Sequence, residues 1–162
     1  VGSTFWFELP AAGSKEQAAI PVPAGIAPVA PAKTPPDVRG TLLYVESNPA
    51  NLELMAMIVA RIPHLTMFSA HNAERGLAIA ADRKPDVIIM DINLSEMDGF
   101  AALKRLKAGA ATKKIPVLAL STNATRHDIE KGEKAGFFRY LTKPVDVDKL
   151  LKAVQEAMKA PP

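Results

Sequence analysis

The chain contains no cysteine. Disulfides, thiolate metal sites and cysteine nucleophiles are therefore excluded. Long apolar runs are missing too: none approaches the roughly eighteen residues that a membrane-spanning helix needs. Membrane contact by this segment is not expected, and any span in a parent protein would lie outside it. Charge of one sign is also scarce. Twenty Lys and Arg stand against 17 Asp and Glu, a net charge of +3. That excess is too small and too scattered to mark a nucleic-acid surface. A cytoplasmic location is expected, with a parent protein that is free to be membrane-anchored.

What is present is enough apolar material for one core. The 162 residues are 48% hydrophobic, which suits one globular domain and is too little for two large ones. The first 38 residues differ from the rest and hold seven of the fourteen prolines, from Pro10 to Pro36. Such a stretch cannot supply the backbone donors of a helix or a central strand. Residues 11–38 read as an extended Pro/Ala-rich linker. Over the first 38 residues Lys15 and Lys33 stand against Glu8, Glu16 and Asp37, a net −1, so the remainder carries +4. Residues 1–10 alternate and are aromatic around Phe5-Trp6-Phe7, as a strand would be. Such a strand without its sheet would seek another apolar surface, so self-association through these three residues is an open expectation.

From Thr41 onward, short apolar runs alternate with amphipathic stretches. The runs are Leu42–Val45, Thr66–Phe68, Val87–Met90, Val117–Leu120 and Arg139–Leu141. Continuous apolar runs of this length suit strands buried on both faces, as in a parallel sheet. Between them, Leu52, Met55, Val59 and Ile62 recur at helical spacing, as do Val147, Leu150, Val154 and Met158. Helix starts are marked by Asn48 before Pro49, by Asn72, by Asp98, by Thr125 and by Asp146. Five strand–helix units in a domain spanning 39–160 predict a doubly wound α/β fold, with helices on both faces of a five-stranded parallel sheet. The expected architecture is flavodoxin-like, with strand order 2-1-3-4-5 and a second helix over Asn72–Arg83.

In such sheets ligands bind beyond the carboxyl ends of the strands. Those ends are Glu46-Ser47-Asn48, Asp91, Ser121 and Thr142-Lys143-Pro144. Two carboxylates, a hydroxyl and an ammonium thus converge on one edge. The turn after the first run, Glu46 to Asn51, contains no glycine. A phosphate-cradling loop needs glycine there, so nucleotide-binding and flavin-binding readings are set aside.

These segments closely resemble the receiver family of two-component systems over about Thr41 to Ala157. The resemblance rests on Leu43-Tyr44-Val45-Glu46-Ser47-Asn48-Pro49, on Met90-Asp91-Ile92-Asn93-Leu94-Ser95-Glu96-Met97-Asp98-Gly99, on Ala119-Leu120-Ser121-Thr122-Asn123-Ala124 and on Tyr140-Leu141-Thr142-Lys143-Pro144. It implies phosphorelay signalling, with Asp91 accepting a phosphoryl group from phosphohistidine. It implies magnesium held by Glu46, Asp91 and the backbone carbonyl of Asn93. Lys143 would pair with a phosphoryl oxygen, while Ser121 and Tyr140 would carry the conformational switch. The Lys143-Pro144 bond is expected to be cis. Residues 2–10 separately resemble the last strand of a histidine-kinase ATP-binding domain. The implied parent is a hybrid sensor histidine kinase, a phosphotransferase, of which this piece is a non-enzymatic part. Its expected partners are a histidine-kinase core or a histidine phosphotransfer domain.

The chain departs from the family at Ser47, where a second, metal-binding acid is usual. Two carboxylates and a lysine leave the pocket near −1 rather than −2, so magnesium should bind weakly, although Glu46 is one methylene longer than aspartate and extends further. Two readings stay open. One is a working receiver with weakened metal support. The other is a pseudo-receiver that regulates the attached kinase by docking, without phosphorylation. Ser95 stands where many relatives have proline. His64, His71 and His127 lack the helix-bundle context of donor histidines and read as surface residues. Phe100, Phe137 and Phe138 read as core or partner-facing surface.

Overall fold

A computed structural model describes residues 38–122 and 125–160. The strand expected at 1–10, its Phe5-Trp6-Phe7 cluster and all of the linker but its last residue lie outside the described residues. That last residue, Val38, is 2% exposed and buried in the core, so the domain begins at the end of the segment that proline content assigns to the linker.

Ten elements follow in strict alternation. They are β1 (Gly40–Val45), α1 (Pro49–Val59), β2 (Leu65–Ala70), α2 (Ala73–Arg83), β3 (Val87–Asp91), α3 (Gly99–Ala108), β4 (Val117–Ser121), α4 (Arg126–Ala135), β5 (Arg139–Thr142) and α5 (Val147–Lys159). All pairings are parallel and the order is β2-β1-β3-β4-β5, as expected. β3 and β4 are buried at every position. β2, at the sheet's edge, is buried only at its two ends, Leu65 and Ala70, which accords with its weaker apolar run.

Every helix start read from the sequence is an N-cap. Asn48, Asn72, Asp98, Thr125 and Asp146 each accept a backbone N–H of the first turn, which satisfies donors the helix cannot pair itself. Thr125 and Asp128 complete a reciprocal capping box. α1 is apolar nearly all round: Met55 and Val59 are buried, but Leu54 and Met57 are 48% and 62% exposed. Ile62, expected on α1, is buried beyond its end. Val147, expected in the core, is exposed because it opens α5 beside its cap.

Strand alternation divides the core in two. Leu42, Tyr44, Val87, Ile89, Leu118 and Leu120 pack with α1 and α5. Leu43, Val45, Ile88, Met90, Val117 and Ala119 pack with α2 and α3. Each fully buried Leu or Ile contributes about 2 kcal/mol. α4 is different. Among the described residues its single buried position is Gly132. A Cβ there would lie 2.4 Å from Cδ2 of Tyr140. Only a residue without a Cβ lets the tyrosine ring lie against the helix backbone.

Candidate functional site

The sheet's hydrogen bonding runs past the strand ends and fixes the residues that follow. The Glu46 N–H donates to the Ala70 carbonyl at 3.0 Å, the Ile92 N–H to that of Leu120 at 2.9 Å, and the Lys143 N–H to that of Ser121 at 2.8 Å. Alternation then sorts the side chains. Glu46 follows Tyr44, Asp91 follows Ile89 and Lys143 follows Leu141, all on the α1–α5 side. Ser121 follows Ala119 on the opposite side, where Tyr140 also packs.

The Lys143 Nζ donates to Oδ2 of Asp91 and to Oε2 of Glu46, both at 2.6 Å. The lysine reaches them from beyond β5, across the end of β4. Asp91 is 5% exposed and Glu46 1%. Asp91 Oδ1 accepts the Asn93 N–H at 2.9 Å, so the loop after β3 closes back on the carboxylate. Asn93 itself is exposed. The first residue of α3, Gly99, presses on the same loop: a Cβ there would lie 2.9 Å from the Asp91 carbonyl oxygen.

Glu46 is held from several sides. Its Oε1 accepts the Asn48 N–H at 3.0 Å. Its Oε2 accepts the Asn51 amide at 3.0 Å and the Tyr44 hydroxyl at 3.1 Å, as well as Lys143. Burial pushes the Glu46 carboxyl up, but the hydrogen bonds from Lys143, Asn48 and Asn51 outweigh it and hold the group below its ordinary range. Burial likewise pulls Lys143 down, and its bonds to Asp91 and Glu46 outweigh that and raise it. Tyr44 is raised by burial and then by the charge and hydrogen bond of Glu46, so its phenol stays protonated.

The structure thus brings Glu46, Asp91 and Lys143 into direct contact and sets Ser121 one residue past the partner of Asp91 on β4. Ser121 is 3% exposed. Ser47 is exposed, on the loop after β1. No group of three His, Cys, Asp or Glu able to share a metal occurs among the described residues. The Lys143-Pro144 bond is cis. His64, His71 and His127 are all exposed. Phe137 is buried and meets Phe100 edge-on at 5.4 Å. Two members of the site went unread in the sequence, Tyr44 and Asn51. A signal for Tyr44 was available: a phenol on a strand buried on both faces must find a partner, and two residues on along one strand face stands Glu46.

Comparison with known proteins gives the family and the fold. The profile of the response regulator receiver domain matches residues 42–155. Protein PilH of Pseudomonas aeruginosa is 33% identical over 117 residues, 72% of this chain and 96% of its own length. The polar-differentiation response regulator DivK of Brucella anthropi is 29% identical over 115 residues, 71% of this chain and 93% of its own. Among solved structures, chemotaxis response regulator CheY4 of Vibrio cholerae superposes with a TM-score of 0.68 at 25% identity, over 74% of this chain and 99% of that one. The receiver domain of a sensor histidine kinase of Pseudomonas aeruginosa, with a magnesium ion coordinated in its active-site cleft, has the same score and identity over 76% and 100%. The chain belongs to the response regulator receiver domain family, and it is a receiver of two-component phosphorelay signalling with the flavodoxin-like fold of its neighbours.

Proposed function

We propose that Asp91 is the phosphoacceptor. The observation that carries this is the Lys143 ammonium held 2.6 Å from the Asp91 carboxylate at the open ends of the strands. An Asp91 oxygen would attack phosphorus, a P–O bond forming as the P–N bond to the donor imidazole breaks, and the departing nitrogen would end as neutral imidazole. This transfer needs charge neutralisation and fixed geometry and little covalent chemistry from the protein. Lys143 neutralises one phosphoryl oxygen. The Asn93 N–H and the Gly99 contact fix the nucleophile. Ser121 and Tyr140, on the other side of the sheet, would close on the transferred group and carry the switch.

The donor set suits a hard cation. Asp91, the Asn93 carbonyl and Glu46 are all oxygen donors, and among the described residues each Asp91 oxygen accepts one hydrogen bond, which leaves lone pairs for a metal. Asp91 and the Asn93 carbonyl would hold magnesium directly and Glu46 through water, since Oε2 of Glu46 already accepts three donors. Magnesium bound there would neutralise charge on the transferred oxygens. With Ser47 neutral and exposed, one anionic ligand fewer is on hand, so binding is expected to be weak. The partner would be a phosphohistidine-bearing kinase core or phosphotransfer domain. The likeness of residues 2–10 to the end of a kinase ATP-binding domain supports a hybrid-kinase parent.

The test is incubation of the full chain with magnesium and a small phosphodonor. An acid-stable, base-labile adduct that chelator reduces and Asp91→Asn removes is expected. No adduct at any magnesium concentration would leave the domain a docking module instead.

A further inference from the structure

We infer that Tyr44 is a positioning residue for phosphoryl transfer, holding Glu46 where it can share the Lys143 ammonium with Asp91. The inference rests on the reading of Asp91 as phosphoacceptor. It starts from a difference in how the members of the site are anchored. Glu46 and Lys143 are long chains, with three and four rotatable side-chain bonds respectively, and each must be fixed to be of use. The ammonium is fixed by the two carboxylates, so its place depends on where Glu46 lies. Glu46 in turn is fixed by donors of two kinds. The Asn48 amide belongs to the exposed loop after β1, and Asn51 to the first turn of α1. Tyr44 alone of these reaches Glu46 from the packed interior: it is 1% exposed and belongs to the core cluster that also holds Leu42, Ile89, Leu118 and Leu120.

The strand supplies the alignment. Residues two apart on one strand share a face, so the Tyr44 ring rises along the sheet toward the residue two places on. Its hydroxyl reaches Oε2 of Glu46 at 3.1 Å, the same oxygen that accepts Lys143 at 2.6 Å. A phenol has a single rotating hydrogen and a rigid ring. It therefore sets the carboxylate's position with little freedom of its own. An aspartate at position 46 would be one methylene shorter. The longer glutamate brings its carboxylate within reach of the lysine but gains a torsion, and the core phenol removes that freedom. The Tyr44 ring, Asn51 and Lys143 also border one cavity of about 150 Å³ with Leu54, Met55 and Ile58, so α1 and the β5–α5 loop share this anchor.

Tyr44→Phe in the full chain removes one oxygen and keeps the ring. The expected result is a phosphorylation rate about fivefold lower at saturating phosphodonor, the worth of about one hydrogen bond, with the donor concentration at half-saturation unchanged. In a Glu46→Gln background the same substitution should change the rate less than twofold, because the phenol acts through that carboxylate. A second measurement does not depend on activity. The Lys143 side-chain ammonium should give a slowly exchanging 1H–15N resonance in the unsubstituted protein, and Tyr44→Phe should broaden it into exchange with water. An unchanged rate together with an unchanged ammonium resonance overturns the inference. So does a rate loss of equal size in both backgrounds, which would mean the hydroxyl acts on stability alone. Should the unsubstituted protein form no adduct, the phosphoacceptor reading fails by itself, and the ammonium resonance still decides whether Tyr44 holds the Glu46–Lys143 contact.

Discussion

The rim around Asp91 has two unlike sides. Toward β1 and β5, Tyr44, Glu46, Asn51, Lys143 and Asp91 are joined by hydrogen bonds and ion pairs of 2.6 to 3.1 Å, and no buried polar side-chain atom among the described residues lacks a partner. Toward α4, the Tyr140 ring lies on Gly132 by van der Waals contact, and that helix buries no other residue among those described. The first side is directional and charged, so any displacement uncovers a buried charge. The second rests on apolar contact and shape, which a small rotation can renew elsewhere. The function proposed for Asp91 and Tyr140 would draw on both qualities, a nucleophile held still and an element free to respond, and the two sides that would supply them are built of different chemistry on opposite faces of one sheet.

The largest effect should come from breaking the charged side. Lys143→Met leaves Glu46 and Asp91 buried without their shared cation. Removal of one partner from a buried ionic cluster costs about 3 kcal/mol, which urea unfolding would read. Phosphorylation should fall by about 100-fold or more, as when one charge-stabilising donor is lost. Unchanged stability would mean that the two carboxylates are not held by the lysine in solution.

The α4 side should break sterically. Gly132→Ala gains helix propensity of about 1 kcal/mol but drives a methyl to 2.4 Å from the Tyr140 ring. Overpacking of this kind costs about 1–3 kcal/mol, so a net loss of about 1 kcal/mol is expected, with a displaced Tyr140 ring in the NMR spectrum. In a Tyr140→Ala background the substitution should become neutral or stabilising. Destabilisation that persists there would break the proposed seat.

A third change sharpens the charged side instead. Ser47→Asp adds an anion beside Glu46 and Asp91 and should raise magnesium affinity about tenfold, or about 1.4 kcal/mol, measured by titration calorimetry. Equal affinities would mean that position 47 does not face the metal.

The shallowest effect is on pH. The folded protein holds Glu46 below its ordinary 4.5, so that stabilisation is present above 4.5 and lost as the pH falls through the lowered value. Lys143 and Tyr44 are raised above 10.5 and 10.0. Their contributions are present below those values and lost as the pH rises through the raised ones. Stability measured by denaturant should be flat near neutrality and fall at both ends. Glu46→Gln should flatten the acid limb and leave the response of Gly132→Ala to pH unchanged.

How far the sequence alone reaches depends on the range of the interaction. The five caps and the strands β1, β3 and β4 were legible, because capping is a contact within one turn and a buried strand declares itself by an unbroken apolar run; β2 and β5, with weaker runs, and the strand order were expected from the regular alternation of strand and helix units. Asp91, Ser121, Lys143 and Glu46 were legible as strand-end residues. Ser47 announced a missing acid, and none of the structure's acids fills its place among the described residues. Only the tertiary structure decided what these groups do to one another. Lys143 and Glu46 are 97 residues apart, and no pattern along the chain says that one ammonium will serve two carboxylates. The same holds for the glycine beneath Tyr140. Local periodicity sets which face a side chain occupies, but the partner it finds there depends on how helices and strands distant in sequence are stacked.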